Sequence, residues 1–214
     1  MSKSNKYGYV GVDIPSQNFG SNKGVFDPAE INELVADNKW TQYGQLEHIE
    51  TQTISSALAN FTTLNENIYN VHLFTLTDMV VTTQTEFGIR VSDDNGTTYE
   101  TTTYQFANQR GFAGGSGFAE RKSTSQTSIR LGGDITTASN SVLNGYVYVY
   151  NAGDSTKYTF TTSHCTFTYG SEYGMEFGSG VYGTASTINA LQIGQGILSA
   201  FSSGTISLYG IRYS

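Results

Sequence analysis

Phe87-Gly88-Ile89-Arg90-Val91-Ser92-Asp93-Asp94-Asn95-Gly96-Thr97-Thr98-Tyr99-Glu100-Thr101-Thr102-Thr103-Tyr104-Gln105-Phe106 reads as strand, turn and returning strand. Phe87, Ile89 and Val91 alternate with Gly88, Arg90 and Ser92, the period of two that predicts a strand with one wet face. Asn95-Gly96 suits the positive φ angles of a two-residue hairpin turn, and Tyr99 to Phe106 is the expected return strand.

Outward from this hairpin the same alphabet continues. Tyr69, Val71 and Leu73 alternate with Asn70, His72 and Phe74 in a strand covered on both faces. Further strands are predicted at 128–131, 145–150, 158–161, 165–169 and 204–211, with Asn151 to Ser155 as a turn. Gly111 to Phe118 and Gly170 to Thr184 are too rich in glycine for regular structure and are expected to be loops. Short connections and no fixed repeat predict an all-β chain, an antiparallel two-sheet, jelly-roll-like sandwich. It spans residues 46–214, after an extended arm and one short helix in residues 1–45.

The helix is written plainly. Asp27 is the expected N-cap, Pro28 the first helical residue and Glu30 the partner in a capping box, while Phe26 and Ile31 form a hydrophobic staple. Ile31, Leu34 and Val35 follow at helical spacing, and the helix is expected to end before Trp40. Upstream, Tyr7, Tyr9, Val10, Ile14 and Phe19 would expose apolar groups on a free arm. They are therefore assigned, with Phe26, Ile31, Leu34 and Trp40, to assembly, packed on their own domain or on a neighbour.

Charged residues make up only 14% of the 214, and the net charge is −7. Without a basic stripe, neither nucleic acid nor an anionic membrane is an expected partner. No stretch approaches a membrane span or a secretory signal. The lone Cys165 rules out an intrachain disulfide and is read as a buried apolar residue.

Chemistry is sparse in this chain. His48, His72 and His164 lack paired-ligand spacing, and no metal or cofactor is expected. Asp93-Asp94-Asn95-Gly96 is a turn rather than a calcium loop. His164 and Cys165 are adjacent on a strand and point to opposite faces, so they do not form a nucleophile pair. Among Glu47, Glu50, Glu86, Glu100, Glu172 and Glu176, nothing selects the two carboxylates that a glycosidase needs. No catalytic residue is assigned, and the expectation is a non-enzymatic protein.

Aromatic residues remain, 15 Tyr and 12 Phe. Tyr146, Tyr148 and Tyr150 share one face of a strand and Val147 and Val149 the other. The tyrosine row either packs beneath a second sheet or lines a groove or subunit contact. Phe112, Phe118, Tyr173 and Tyr182, in the two glycine-rich segments, are candidates for stacking on a ligand.

Four segments together carry a resemblance: Gly24-Val25-Phe26 leading into the helix before Trp40, Phe61-Thr62-Thr63-Leu64 through Tyr69-Asn70-Val71-His72, Arg90 to Gly96, and Ser202-Ser203-Gly204-Thr205-Ile206-Ser207-Leu208-Tyr209-Gly210-Ile211. In order, over most of the chain from residue 24, they resemble virion structural proteins of tailed bacteriophages, marine ones in particular. The resemblance implies a β-sandwich on the virion surface, a capsid decoration or a tail or fibre component. Its implied partners are other virion proteins and further copies of itself, as in a trimer. It implies synthesis in the host cytoplasm and release by lysis, and carries over no catalytic residue. The alternative expectation is a module that binds a host receptor or a carbohydrate, a host-surface glycan being the ligand.

Overall fold

A computed structural model describes residues 28–36 and 46–211, apart from 116, 139, 197 and 198. Tyr7, Tyr9, Val10, Ile14, Phe19, Phe26, Asp27 and Trp40 lie outside the described residues. Helix α1, Pro28–Ala36, starts at the predicted proline and stops short of Trp40; none of its nine residues is buried.

In chain order the strands are β1 Leu46–Ala57, β2 Ala59–Phe61, β3 Val71–Val80, β4 Thr85–Ser92, β5 Tyr104–Phe112 and β6 Phe118–Gln126. They continue with β7 Ile129–Ile135, β8 Leu143–Tyr150, β9 Thr159–Tyr169, β10 Glu172–Tyr182, β11 Ala190–Gln195 and β12 Phe201–Ile211. The protein is all-β apart from α1. Eight strands form one sheet in the order β1-β12-β3-β8-β9-β10-β5-β6, and four form another in the order β2-β11-β4-β7.

The layers pack because each contributes one apolar face. On β8, Val147 and Val149 are fully buried while the tyrosines between them are not. Burying each valine contributes about 1.5–3 kcal/mol. Phe74 and Leu76 of β3, with Ile206 and Leu208 of β12, continue this face. Phe87, Ile89, Leu191, Ile193 and Ile129 from the smaller sheet complete a single core.

The expected hairpin does not form. Strand β4 pairs with β11 and β7, whereas β5 belongs to the other sheet between β10 and β6. The turn itself is present: Asn95 and Gly96 take φ 59° and 78°, and the Thr97 amide donates to the Asp94 carbonyl at 3.4 Å. The Glu100 amide still reaches the Val91 carbonyl at 2.9 Å, but pairing goes no further. The Val91 amide takes the Tyr104 hydroxyl as acceptor at 2.9 Å, and β11 already occupies one edge of β4. The chain therefore crosses to the larger sheet. Strand β4 also lacks the expected wet face: Gly88 and Ser92 are buried and only Arg90 stays partly exposed in that alternating set.

Three further expectations are corrected. The strands expected at 158–161 and 165–169 are one continuous strand, β9, Thr159–Tyr169. Residues 118–126, expected in part as loop, are the edge strand β6, whose sequence FAERKSTSQ has no apolar period and is held by its ladder to β5. The excursion at Gly170 to Thr184 is strand β10. Its glycines face inward at tight crossings: a Cβ on Gly174 would stand 2.8 Å from the Phe167 ring, and one on Gly180 would collide with Ile129. These glycines mark close approach of other groups, not flexibility.

Candidate functional site

Register across the larger sheet decides what its outer face presents. Tyr146 of β8 lies opposite His164 of β9, which lies opposite Phe177 of β10. Their rings meet edge to face, Tyr146 to His164 at 5.9 Å and His164 to Phe177 at 6.5 Å. Phe118 of β6 adds a ring 6.0 Å from Phe177, while Tyr148 and Tyr150 extend the row at 5.7 and 6.2 Å. Six rings thus run in unbroken contact over the outer face, at separations where aromatic pairs attract. Phe177 is 41% exposed, Tyr146 42% and Phe118 62%. Among the described residues no second sheet covers the tyrosine row.

The row owes its continuity to Gly111. It pairs with Phe118 across β5 and β6, and a Cβ at position 111 would stand 2.9 Å from the Phe118 ring. Without a side chain there, the phenyl ring lies across the neighbouring strand.

At one end the face deepens into a groove of about 680 Å³ lined by Phe112, Phe118 and Tyr173 together with Asn144, Thr166 and Thr168. Two of the four aromatics nominated for ligand stacking, Phe118 and Tyr173, present their rings here, while the ring of the third, Phe112, turns to the inner face against Phe167 and Tyr169. So does the fourth: Tyr182 is 3% exposed, on the inner face, with its ring 5.2 Å from that of Tyr104. Tyr173 and Tyr182 lie nine residues apart on one strand, and an odd separation sends them to opposite faces. Treating residues 172–182 as a strand would have removed Tyr182 and admitted Phe177, which composition alone did not single out.

The charged groups concentrate elsewhere, in the interior. Glu176 is fully buried and takes two bonds from Arg130, Nε to Oε1 at 2.9 Å and Nη2 to Oε2 at 3.1 Å, plus one from Asn108 Nδ2 at 2.9 Å. Arg130 also stands 3.5 Å from Glu86 and 3.7 Å from Asp134, and Asp134 pairs in turn with Arg110. Of the six glutamates considered for glycoside hydrolysis, Glu86 and Glu176 meet at one guanidinium. Their charge is engaged by a cation, in a network that ties β10 to β7.

The remaining candidates are occupied structurally. Burial pushes the Cys165 thiol up to about 12, with Glu176 reinforcing the shift, so it stays protonated at neutral pH. Burial lowers the His72 pKa against the opposing pull of the Leu64 carbonyl, 2.9 Å from Nε2. Asp94 is held down to about 2 by the Thr98 amide and hydroxyl and by Ser92, the bonds of a turn rather than of an ion. Among the described residues no group of three His, Cys, Asp or Glu side chains could hold a metal. Comparisons with family models, with curated proteins and with solved structures found no match, so the functional reading rests on this geometry and on the resemblance in sequence.

Proposed function

We propose that the protein is a non-enzymatic structural component of a tailed-bacteriophage particle, a capsid decoration or tail-associated subunit that lies against neighbouring protein through the outer face of its larger sheet. The observation that carries this reading is the six-ring row from Tyr150 to Phe118, left open to solvent along one layer of a sheet whose other face is buried. Exposed apolar patches of this kind mark contact surfaces, and aromatic residues supply much of the energy at protein interfaces.

The sheet edges support the face as the contact. Edge strand β6 carries Glu120, Arg121 and Lys122, with the Lys122 ammonium 2.6 Å from the Glu120 carboxylate. Charges on an edge oppose strand addition by another chain. The arm and helix of residues 1–45 are the second attachment element. On α1, Val35 is 52% exposed and Ile31 and Leu34 are half-buried, an apolar stripe for a partner to cover.

The test is sedimentation of the full chain alongside the Tyr146→Ser/Phe177→Ser double variant. The proposal expects an oligomer for the first and a monomer of unchanged circular dichroism for the second. A chain that self-associates equally with and without the two rings, or that remains monomeric and is missing from purified particles, refutes it.

A further inference from the structure

We propose that the groove between the β5–β6 turn and the outer ends of β9 and β10 is a binding site for a neutral oligosaccharide. This inference goes beyond the assembly reading: it concerns the end of the face and shares only Phe118 with the ring row.

Shape and chemistry select the ligand class. A volume of about 680 Å³ falls within the roughly 300–1,000 Å³ of small-ligand sites. None of the residues lining the groove is charged, so ionic ligands find no counter-charge there. What the groove offers is two open aromatic rings, Phe118 and Tyr173 at 62% and 73% exposure.

On β8 and β9, across β10 from Phe118, the groove carries neutral hydrogen-bonding groups. The Asp78 amide donates to Asn144 Oδ1 at 2.9 Å, which orients that side chain and leaves its NH₂ as a donor. Thr166 Oγ1 donates to the Asn144 carbonyl at 3.4 Å and keeps a lone pair free to accept. Gly111 leaves the space in which Phe118 lies, since a Cβ there would stand 2.9 Å from its ring.

A pyranose matches this arrangement. Its C–H faces carry slight positive charge and lie against the negative faces of aromatic rings, while its hydroxyls exchange hydrogen bonds with amides and hydroxyls at the rim. An apolar ligand would leave the Asn144 NH₂ without a partner, and a charged one would find no ion to pair with.

The experiment titrates the full chain with cellohexaose, maltohexaose and chitohexaose, and screens it on an array of neutral glycans. Saturation-transfer NMR reads which sugar protons touch the protein. Binding is expected to at least one neutral glycan, weakened about tenfold by Tyr173→Ala and again by Phe118→Ala, the factor that corresponds to about 1.4 kcal/mol per ring. Tyr158→Ala removes an exposed ring outside the groove and is expected to leave binding unchanged. Both ring variants sit on the surface and retain the fold. Failure of every neutral glycan to bind, or binding that survives both ring substitutions, overturns the proposal. Neither outcome bears on self-association, which is read separately by sedimentation.

Discussion

Arg130→Met is the sharpest probe of how the two sheets are joined. The substitution keeps the apolar stem and removes the guanidinium, and with it both bonds to Glu176 at 2.9 and 3.1 Å. Glu176, with no exposed surface, keeps only the Asn108 amide. Glu86 and Asp134 lose a neighbour too, but their side chains are 41% and 26% exposed, so water replaces much of what they lose. The loss is therefore dominated by one buried, uncompensated carboxylate, about 3–5 kcal/mol when a partner of a buried pair is removed. For a domain of this size each kcal/mol moves the melting temperature by about 2–4 °C, which predicts a fall of about 6–20 °C. Urea unfolding followed by circular dichroism gives the free energy and calorimetry the temperature. The double variant Arg130→Met/Glu176→Leu removes both charges and is expected to recover most of the loss. A single variant within about 1 kcal/mol of wild type, or a double variant no better than the single, refutes the reasoning.

Tyr182→Ala is expected to cost about 3–5 kcal/mol as a buried aromatic truncation, while Tyr173→Ala stays within about 0.5 kcal/mol; thermal denaturation of the pair separates an inward from an outward ring. Cys165 titrates near 8.5 in an unfolded chain but is pushed up to about 12 in the fold. Its contribution is present in full below about pH 8.5 and is lost as the pH rises toward 12, so Cys165→Ala is expected to flatten the alkaline limb of the stability curve. His72 has the opposite sense: with its folded pKa lowered by burial, stability is present above the ordinary histidine value of 6.5 and falls on acidification, a dependence that His72→Gln is expected to abolish when unfolding is compared at pH 7 and pH 5. Gly96→Ala places a Cβ at φ 78° and 2.9 Å from the Tyr99 hydroxyl, and is expected to lose about 1–3 kcal/mol in chemical denaturation.

Legibility followed the range of the interaction. Strand β8 was readable because its alternation is complete: Val147 and Val149 turn to the core and the tyrosines away, as their parity requires. The start of α1 at Pro28 was readable because a cap is a matter of a few adjacent residues. The partner of β4 was not, because Asn95-Gly96 dictates a reversal while the Asn189 side chain, 2.8 Å from the Asn95 amide, and β11 decide where the chain goes next. Strand β6 was hidden because an edge held by its ladder needs no apolar face, and β10 because its inward glycines leave room for groups far away in sequence. The site inherited that error, gaining Tyr182 by composition and missing Phe177 in the ring row and Asn144 and Thr166 in the groove, which register alone places there.

The central claim, that the outer aromatic face is covered in the assembled particle, is tested most directly by hydroxyl-radical footprinting of the chain alone and in purified virions. Tyr146 and Phe177 are expected to be oxidised readily in the isolated protein and protected in the particle, with Tyr104 and Phe74, already buried, unchanged between the two. Equal labelling of Tyr146 and Phe177 in both states would contradict the account.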